Sequence, residues 1–367
     1  METSLNKTLR TIISVAPGRT CLFGDHQDYL GLPVIACAID RNIKIVAKPN
    51  NNHVFKLSMK DIDEERVIDI NEIFSSLRPR DYFASSLRVL RKYGCIPDRG
   101  YDIAITGDIP INSGTSSSSA LLMAWINFLI EAFGINETIT SELVAKIGHE
   151  AEVLEHGEPG GMMDHYSIGI GNIVYINTSE PFSCTVIGDE LDGLITGVSG
   201  IPKETIGLLG QVKERALSAI KMVKKAYPDF SLSEARLADV EEYCHLLTPD
   251  LFPYFKAAIE NHLITQEALG VFKETGLDRK KLGELMNRHH AVLRDLLHIT
   301  VPRIDRMIDA ALSAGAYGAK IVGSGGGGSI VVIAEPGTED SIVKALLASG
   351  AKDAYAVSID SGIRIVN

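Results

Sequence analysis

The stretch GDIPINSGTSSSSALLMAW, residues 107–125, runs from the end of a strand into a loop of small residues and straight on into an apolar helix. The strand is YDIAITGDIP (101–110), which closes on a proline turn. The helix, 119–133, is apolar nearly all round, so it is expected to be buried rather than to lie on a surface. A helix start carries unpaired N–H groups and a partial positive charge, so the loop between the two stabilises an anion. Small residues let the backbone approach a phosphate, and serine hydroxyls add donors or a magnesium ligand. One serine before a helix is an ordinary cap. Ser116, Ser117, Ser118 and Ser119 in a row exceed what capping uses. The loop differs from a Walker loop, because no lysine follows it.

Outward from this stretch the chain changes character once. The first half reads as strands: PVIACAIDRNIKIVAKP (33–49) carries β-branched runs. A helix is expected over 141–156, with Leu143, Ile147, Ala151 and Leu154 on one face and Gly157 to end it. The second half is mostly helical, from 205–226 and 233–244 to PRIDRMIDAALSAG (302–315), which Pro302 starts and Gly315 closes. Two strands flank GSGGGG (323–328), and SGIRIVN (361–367) reads as a last one. At 367 residues the chain exceeds one ordinary compact core. Two domains are expected, 1–199 and 200–367, divided near VSGIPKE, where strand signals give way to long helices.

Bulk properties exclude several classes. A net charge of −11 disfavours a dedicated binder of nucleic acid or of an anionic membrane. The longest apolar stretch, ALLMAWINFLI (120–130), is about half of what spans a bilayer. The first nineteen residues hold no apolar core followed by a small-residue cleavage site. The five cysteines are scattered and never form a CxxC pair, which disfavours a disulfide framework and points to a reducing cytoplasm.

Three further clusters carry polar chemistry. GRTCLFGDHQDYLG (18–31) puts two carboxylates, an imidazole and a phenol where a strand meets a turn. An Asx turn with a solvated acidic face explains Asp25 or Asp28 singly but not the whole run. GSGGGGSIVVI (323–333) matches G-x-G-x-x-G formally, but a strand follows it, which is the wrong context for a dinucleotide fold. A hairpin turn needs fewer glycines, so the run suggests close backbone approach to something else. In GHEAEVLEHGEPGGMMDHYSIG (148–169), Ala145 and Gly148 precede Glu152 on the same helix side, a stripe that would leave room for an ion. Asp164 is a carboxylate in apolar company. Taken singly, Glu152 reads as a surface residue and Asp164 as a helix cap. His289 and His290 point in different directions on one helix and read as packing or surface residues, and His245 has no partner spacing.

Together these clusters resemble the three signature motifs of the GHMP kinase superfamily, in the right order over nearly the whole chain. PINSGTSSSSA resembles the family's Pro-x-x-x-Gly-Leu-Ser-Ser-Ser-Ala phosphate loop, with Thr115 for leucine and Ser119 for the first alanine. GAKIVGSGGGGSIVVI resembles its C-terminal glycine motif. The opening stretch selects the galactokinase branch: GRTCLFGDHQDYLGLPVIACAI resembles the sugar-binding signature, and GMMDH resembles Gly-Ile-Met-Asp-Gln, which carries the catalytic aspartate. Asp25 stands in place of a glutamate, Gln27 of a threonine and His165 of a glutamine. The segment 178–204 lacks the galactokinase pattern.

The resemblance implies an α+β fold of two domains, strand-rich first and helix-rich second with an antiparallel sheet. It implies ATP and Mg2+ as cofactors and a monosaccharide or other small polyol as substrate, in a monomer or a homodimer. Gly114, Thr115, Ser116, Ser117, Ser118 and Ser119 would hold the triphosphate, with Ser118 and Glu152 as magnesium ligands. Asp164 would take the proton from the attacking hydroxyl, with Arg19 keeping it ionised. Asp25, His26, Asp28 and Gly161 would bind the substrate, because carboxylates accept hydroxyl hydrogen bonds in fixed directions. Gly325, Gly326, Gly327 and Gly328 would close over the substrate end. Another hexose, a heptose phosphate, an inositol or mevalonate is the alternative substrate, and a non-catalytic sugar and ATP sensor is the alternative role. Tyr82 or Phe83 reads equally as adenine pocket or as core.

Overall fold

The computed structural model describes residues 10–111, 113–202 and 205–366; Asn112 of the phosphate-loop motif lies outside them. The first sheet is built on β1 (Ile12–Phe23) and β2 (Val34–Asn50), an antiparallel pair. β2 is long enough to take two partners along its other edge. Its second half pairs with β5 (Gly100–Gly107) and its first four residues with β6 (Ile173–Asn177). β3 (Val54–Met59) runs parallel to β5, and β4 (Glu64–Asp69) closes that edge. β7 (Ser183–Gly188) extends β6.

The second sheet has four antiparallel strands in the order β11 (Asp353–Ala356), β8 (Leu194–Val198), β10 (Ser329–Ile333), β9 (Gly318–Val322). β8, β9 and β10 are buried at every position, the pattern of strands covered on both faces. β12 (Arg364–Val366) crosses back to pair with β1 of the first sheet. β8, at 194–198, thus lies in the second sheet, and the last strand returns to the first.

The helices are α1 (Tyr82–Lys92), α2 (Ser117–Phe133), α3 (Ser141–His149), α4 (Met163–Ile170), α5 (Thr205–Ala226), α6 (Leu237–Tyr243), α7 (Phe252–Lys273), α8 (Arg279–Asp295), α9 (Pro302–Ser313) and α10 (Glu339–Ala348). α2 is central, as its apolar sequence requires: Trp125 is fully buried, edge-on to Phe55 and Phe83. Such aromatic edges add stabilisation beyond the area they bury. α8 lies directly on β9. A Cβ at Gly283 would run into Tyr317, just before β9, and one at Gly318 into the Gly283 backbone, so glycine at both fixes the height of the strand that leads into the glycine motif.

Two helices depart from expectation. Over 141–156 the α-helix ends at His149 and a π turn, Glu150–Leu154, follows. The wider turn shifts the register, leaving Leu154 62% exposed and turning Glu152 inward. Over 233–244 the chain makes a 3-10 turn at Leu232–Glu234 and restarts at α6, because Arg236 is extended and its N–H is taken by the Asp239 carboxylate at 2.7 Å. Among the described residues no helix is long and apolar enough to cross a membrane.

Candidate active site

The end of β1, the loop before α2 and the start of α4 meet at one carboxylate. Arg19 is 3% exposed and directs its guanidinium at Asp164, with Nε and Nη2 at 2.8 and 2.7 Å from Oδ1. Its Nη1 donates to the Gly114 carbonyl at 2.5 Å. The other Asp164 oxygen accepts a 2.5 Å hydrogen bond from Ser116 Oγ. Ser116 precedes α2 in the left-handed region, with φ of 59°, and its side chain makes no capping bond to the helix. The hydroxyl that would cap α2 is thus committed to Asp164 and leaves the first-turn amides of the helix without a bond from the Ser116 side chain. Thr115 is buried, its hydroxyl 2.7 Å from that of Ser113, so it shapes the loop from within.

The turn after β1 divides its polar residues between two directions. Gln27 is fully buried, with its amide donating to the Pro33 carbonyl and to Thr265 Oγ1. Asp25 is also buried, with Oδ1 accepting from the Gly323 amide at 2.7 Å and Oδ2 2.5 Å from Lys320 Nζ. Asp25, expected to bind substrate, lines the polar cleft, and its carboxylate is held by Lys320 and the Gly323 amide. Burial alone would push this carboxyl up, but Lys320, His289 and the Gly323 amide together hold it below the usual range.

His26 and Asp28 face a polar cleft of about 220 Å3 whose walls also include Arg19, Tyr29, Ser118, Glu152, Gly161 and Asp164. The His26 ring has Nδ1 3.0 Å from Tyr29 Oη, and among the described residues Nε2 has no hydrogen-bond partner. Burial pushes the pKa of this imidazole down, which favours its neutral form. Asp28 accepts from the Tyr29 amide at 2.9 Å. Its carboxyl is pushed up to about 6 by burial and by the negative charge of Asp164. A Cβ at Gly161 would overlap the Asp28 carboxylate, so glycine there lets the acid sit against the 159–161 backbone.

Ser118 and Glu152 both line this cleft, as expected of a shared metal site. Hydroxyl and carboxylate oxygens fit magnesium, which takes its remaining ligands from water and phosphate. Glu152 Oε2 lies 2.8 Å from His165 Nε2, a contact the sequence did not reveal. The stripe of Ala145 and Gly148 leaves no room for an ion: a Cβ at Gly148 would strike Met123 Sδ and approach His165. It is a packing groove for α2 and α4. Among the described residues no group of three or more His, Cys, Asp or Glu could hold a metal without such outside ligands.

The glycine motif also departs from expectation. Gly325 packs on Ile299, Gly327 on the Ile201 and Pro202 carbonyls, and Gly328 on the Ser113 carbonyl. Gly326 and Gly328 donate their amides to Ile299 and Ile201. Of these four, Gly328 thus backs the phosphate loop while the others pack on Ile299, Ile201 and Pro202, and Gly323 lines the cleft. His289 and His290 are buried packing residues, His289 stacked on Phe23. A second, apolar cleft of about 250 Å3 opens on the other side of the loop, between Ile43, Met59, Ile62, Ile105 and Leu121. Ser118 lines both clefts. Phe83 belongs to the core against Trp125, and Tyr82 faces the polar cleft with its hydroxyl 3.3 Å from Glu158.

The chain is similar to known proteins along nearly its whole length. The family model for the GHMP kinases N terminal domain matches residues 81–172, and that for GHMP kinases C terminal matches 268–352. The galactokinase galactose-binding signature matches residues 3–49. A galactokinase of Chloroflexus aurantiacus is 30% identical over 359 residues, covering 95% of this chain and 88% of that protein. A mevalonate kinase of Thermococcus gammatolerans is 26% identical over 377 residues, covering 96% of this chain and 98% of that protein. Lactococcus lactis galactokinase, solved with galactose, superposes with a TM-score of 0.85 at 21% identity, covering 98% of this chain and 96% of that one.

Proposed function

The chain belongs to the GHMP kinase family, and from that premise we propose that it transfers the terminal phosphoryl of ATP to a hydroxyl of a monosaccharide, with Asp164 as the base. It is an ATP-dependent small-molecule kinase of the galactokinase-like kind. The observation that carries the site assignment is the position of Ser118, at the neck between the apolar cleft and the polar one. Adenosine fits the apolar side, and the triphosphate crosses the neck over the start of α2. The terminal phosphoryl then arrives beside Arg19 and Asp164.

In phosphoryl transfer a protein mainly positions reactants and neutralises charge. Asp164 receives the proton of the attacking hydroxyl. Arg19, fixed by Gly114 as well as by Asp164, holds that carboxylate in place and offers positive charge to the transferring group. Ser118 and Glu152 would hold magnesium, which when bound neutralises the phosphate oxygens. His26 and Asp28 read the sugar hydroxyls, one as a neutral imidazole and the other as a carboxylate. A buried site that pairs each hydroxyl rejects epimers, since a mismatch leaves a polar group unpaired.

Mevalonate is the second reading, favoured by relatives such as the Thermococcus gammatolerans enzyme that match along nearly their whole length. The two are separated by measuring ADP release with Mg-ATP against free sugars, inositols, sugar phosphates and mevalonate. We place the substrate and phosphate determinants on the first sheet and its helices, and the glycine motif on the second.

A further inference from the structure

Lys320 is fully buried, on a strand whose other residues are apolar or glycine. Its ammonium donates to the Cys21 carbonyl at 2.9 Å and the Ile321 carbonyl at 3.0 Å, and it forms an ion pair with Asp25 Oδ2 at 2.5 Å. Two hydrogen bonds and an opposite charge at close range compensate the burial of this ammonium. The opposite oxygen of Asp25 holds the Gly323 amide. One ion pair therefore ties the turn after β1 to the start of the glycine motif.

Such a pair is a poor source of stability, because two desolvated charges gain little over apolar residues of the same size. Its consequence here is geometric. The residue after Asp25 is His26, held at φ of 64°, and both His26 and Gly323 line the substrate cleft. The phosphate loop has its own ties: Gly114 to Arg19, and Ser113 to the Ser329 hydroxyl. The Lys320–Asp25 pair is thus placed to set the sugar side of the site while the nucleotide side is fixed separately.

Resting on the kinase reading above, we propose that Lys320 is a positioning residue for the substrate, acting through Asp25 on His26 and Gly323. Lys320→Met is expected to raise KM for D-galactose about tenfold, the cost of one lost hydrogen-bond arrangement, and to change KM for ATP less than about twofold. Lys320→Arg, which keeps the charge, should recover most of the sugar KM. If Lys320→Met does not fold, the Asp25→Asn, Lys320→Met double variant strands no charge and should show the same split. Equal changes in both KM values, or a loss of thermal stability with neither KM changed, would overturn the proposal. The wild-type protein supplies a test that needs no substrate. The Gly323 amide should exchange with solvent as slowly as the strand amides around it, and exchange at the rate of an exposed loop would refute the tie. A wild type silent toward D-galactose with a protected Gly323 would count against the substrate reading and not against the tie.

Discussion

Ser116 donates a 2.5 Å hydrogen bond to Asp164 Oδ2 while Arg19 grips Oδ1, so a single carboxylate joins the phosphate loop to the start of α4. An asparagine at 164 keeps the shape but has no basic oxygen for a proton. Asp164→Asn is therefore expected to lower kcat by about 10^2–10^4-fold, the usual contribution of a general base, with D-galactose affinity within a few-fold of wild type. Steady-state turnover and calorimetric titration check the two halves. Undiminished turnover would remove Asp164 from the role.

The Asp28 carboxyl, raised to about 6 by burial and by Asp164, supplies a pH signature. Asp25 also raises it, while the Tyr29 amide and Lys213 work in the opposite direction. Above about 6 it is ionised and accepts hydroxyl hydrogen bonds, so KM for the sugar should rise as the pH falls through that value. Because its folded pKa exceeds the unfolded one, its stabilising contribution is complete below the unfolded pKa and is lost as the pH rises through about 6. Asp28→Asn should therefore melt at a higher temperature than wild type at pH 7.5 while binding sugar more weakly. A lower melting temperature would contradict the assigned environment.

Gly161 is tested by a single methyl group. A Cβ there overlaps the Asp28 carboxylate, so Gly161→Ala should displace Asp28. The expected result is a rise of about tenfold or more in the sugar KM, with ATP KM and the far-ultraviolet circular dichroism spectrum unchanged. Equal sugar KM values in the two proteins would show that Asp28 does not contact the substrate.

Glu152 and His165 form the test of metal handling. Glu152→Gln removes the carboxylate charge that Ser118 cannot replace. The magnesium concentration for half-maximal rate should rise about tenfold, the lower range for a lost metal-site partner. Direct titration of Mn2+ by electron paramagnetic resonance in the presence of a non-hydrolysable ATP analogue should show the same weakening.

Much of the architecture was legible in local pattern. Residues 101–133 announce strand, loop and buried helix in order, and the structure places all three there. What stayed hidden depends on contacts between distant residues. Lys320 and Cys21 are separated by 299 positions, and Gly323 and Asp25 by 298, so neither the commitment of Asp25 nor the role of Lys320 has a local signature. The one available hint was a lysine inside the short apolar strand GAKIV. The π turn at Glu150–Leu154 was equally invisible, because its residues are ordinary helix formers and the contact of Glu152 with His165 is not local. The return of β12 to the first sheet likewise rests on pairing with β1, not on its own sequence.

The central claim, phosphoryl transfer from ATP to a sugar hydroxyl, is tested most directly by following Mg-ATP by phosphorus nuclear magnetic resonance with the wild-type protein and D-galactose, then with other monosaccharides and mevalonate. The account predicts loss of the γ-phosphate signal, growth of ADP and a new sugar-phosphate resonance with a monosaccharide. A phosphate ester formed from mevalonate and from none of the sugars would contradict it.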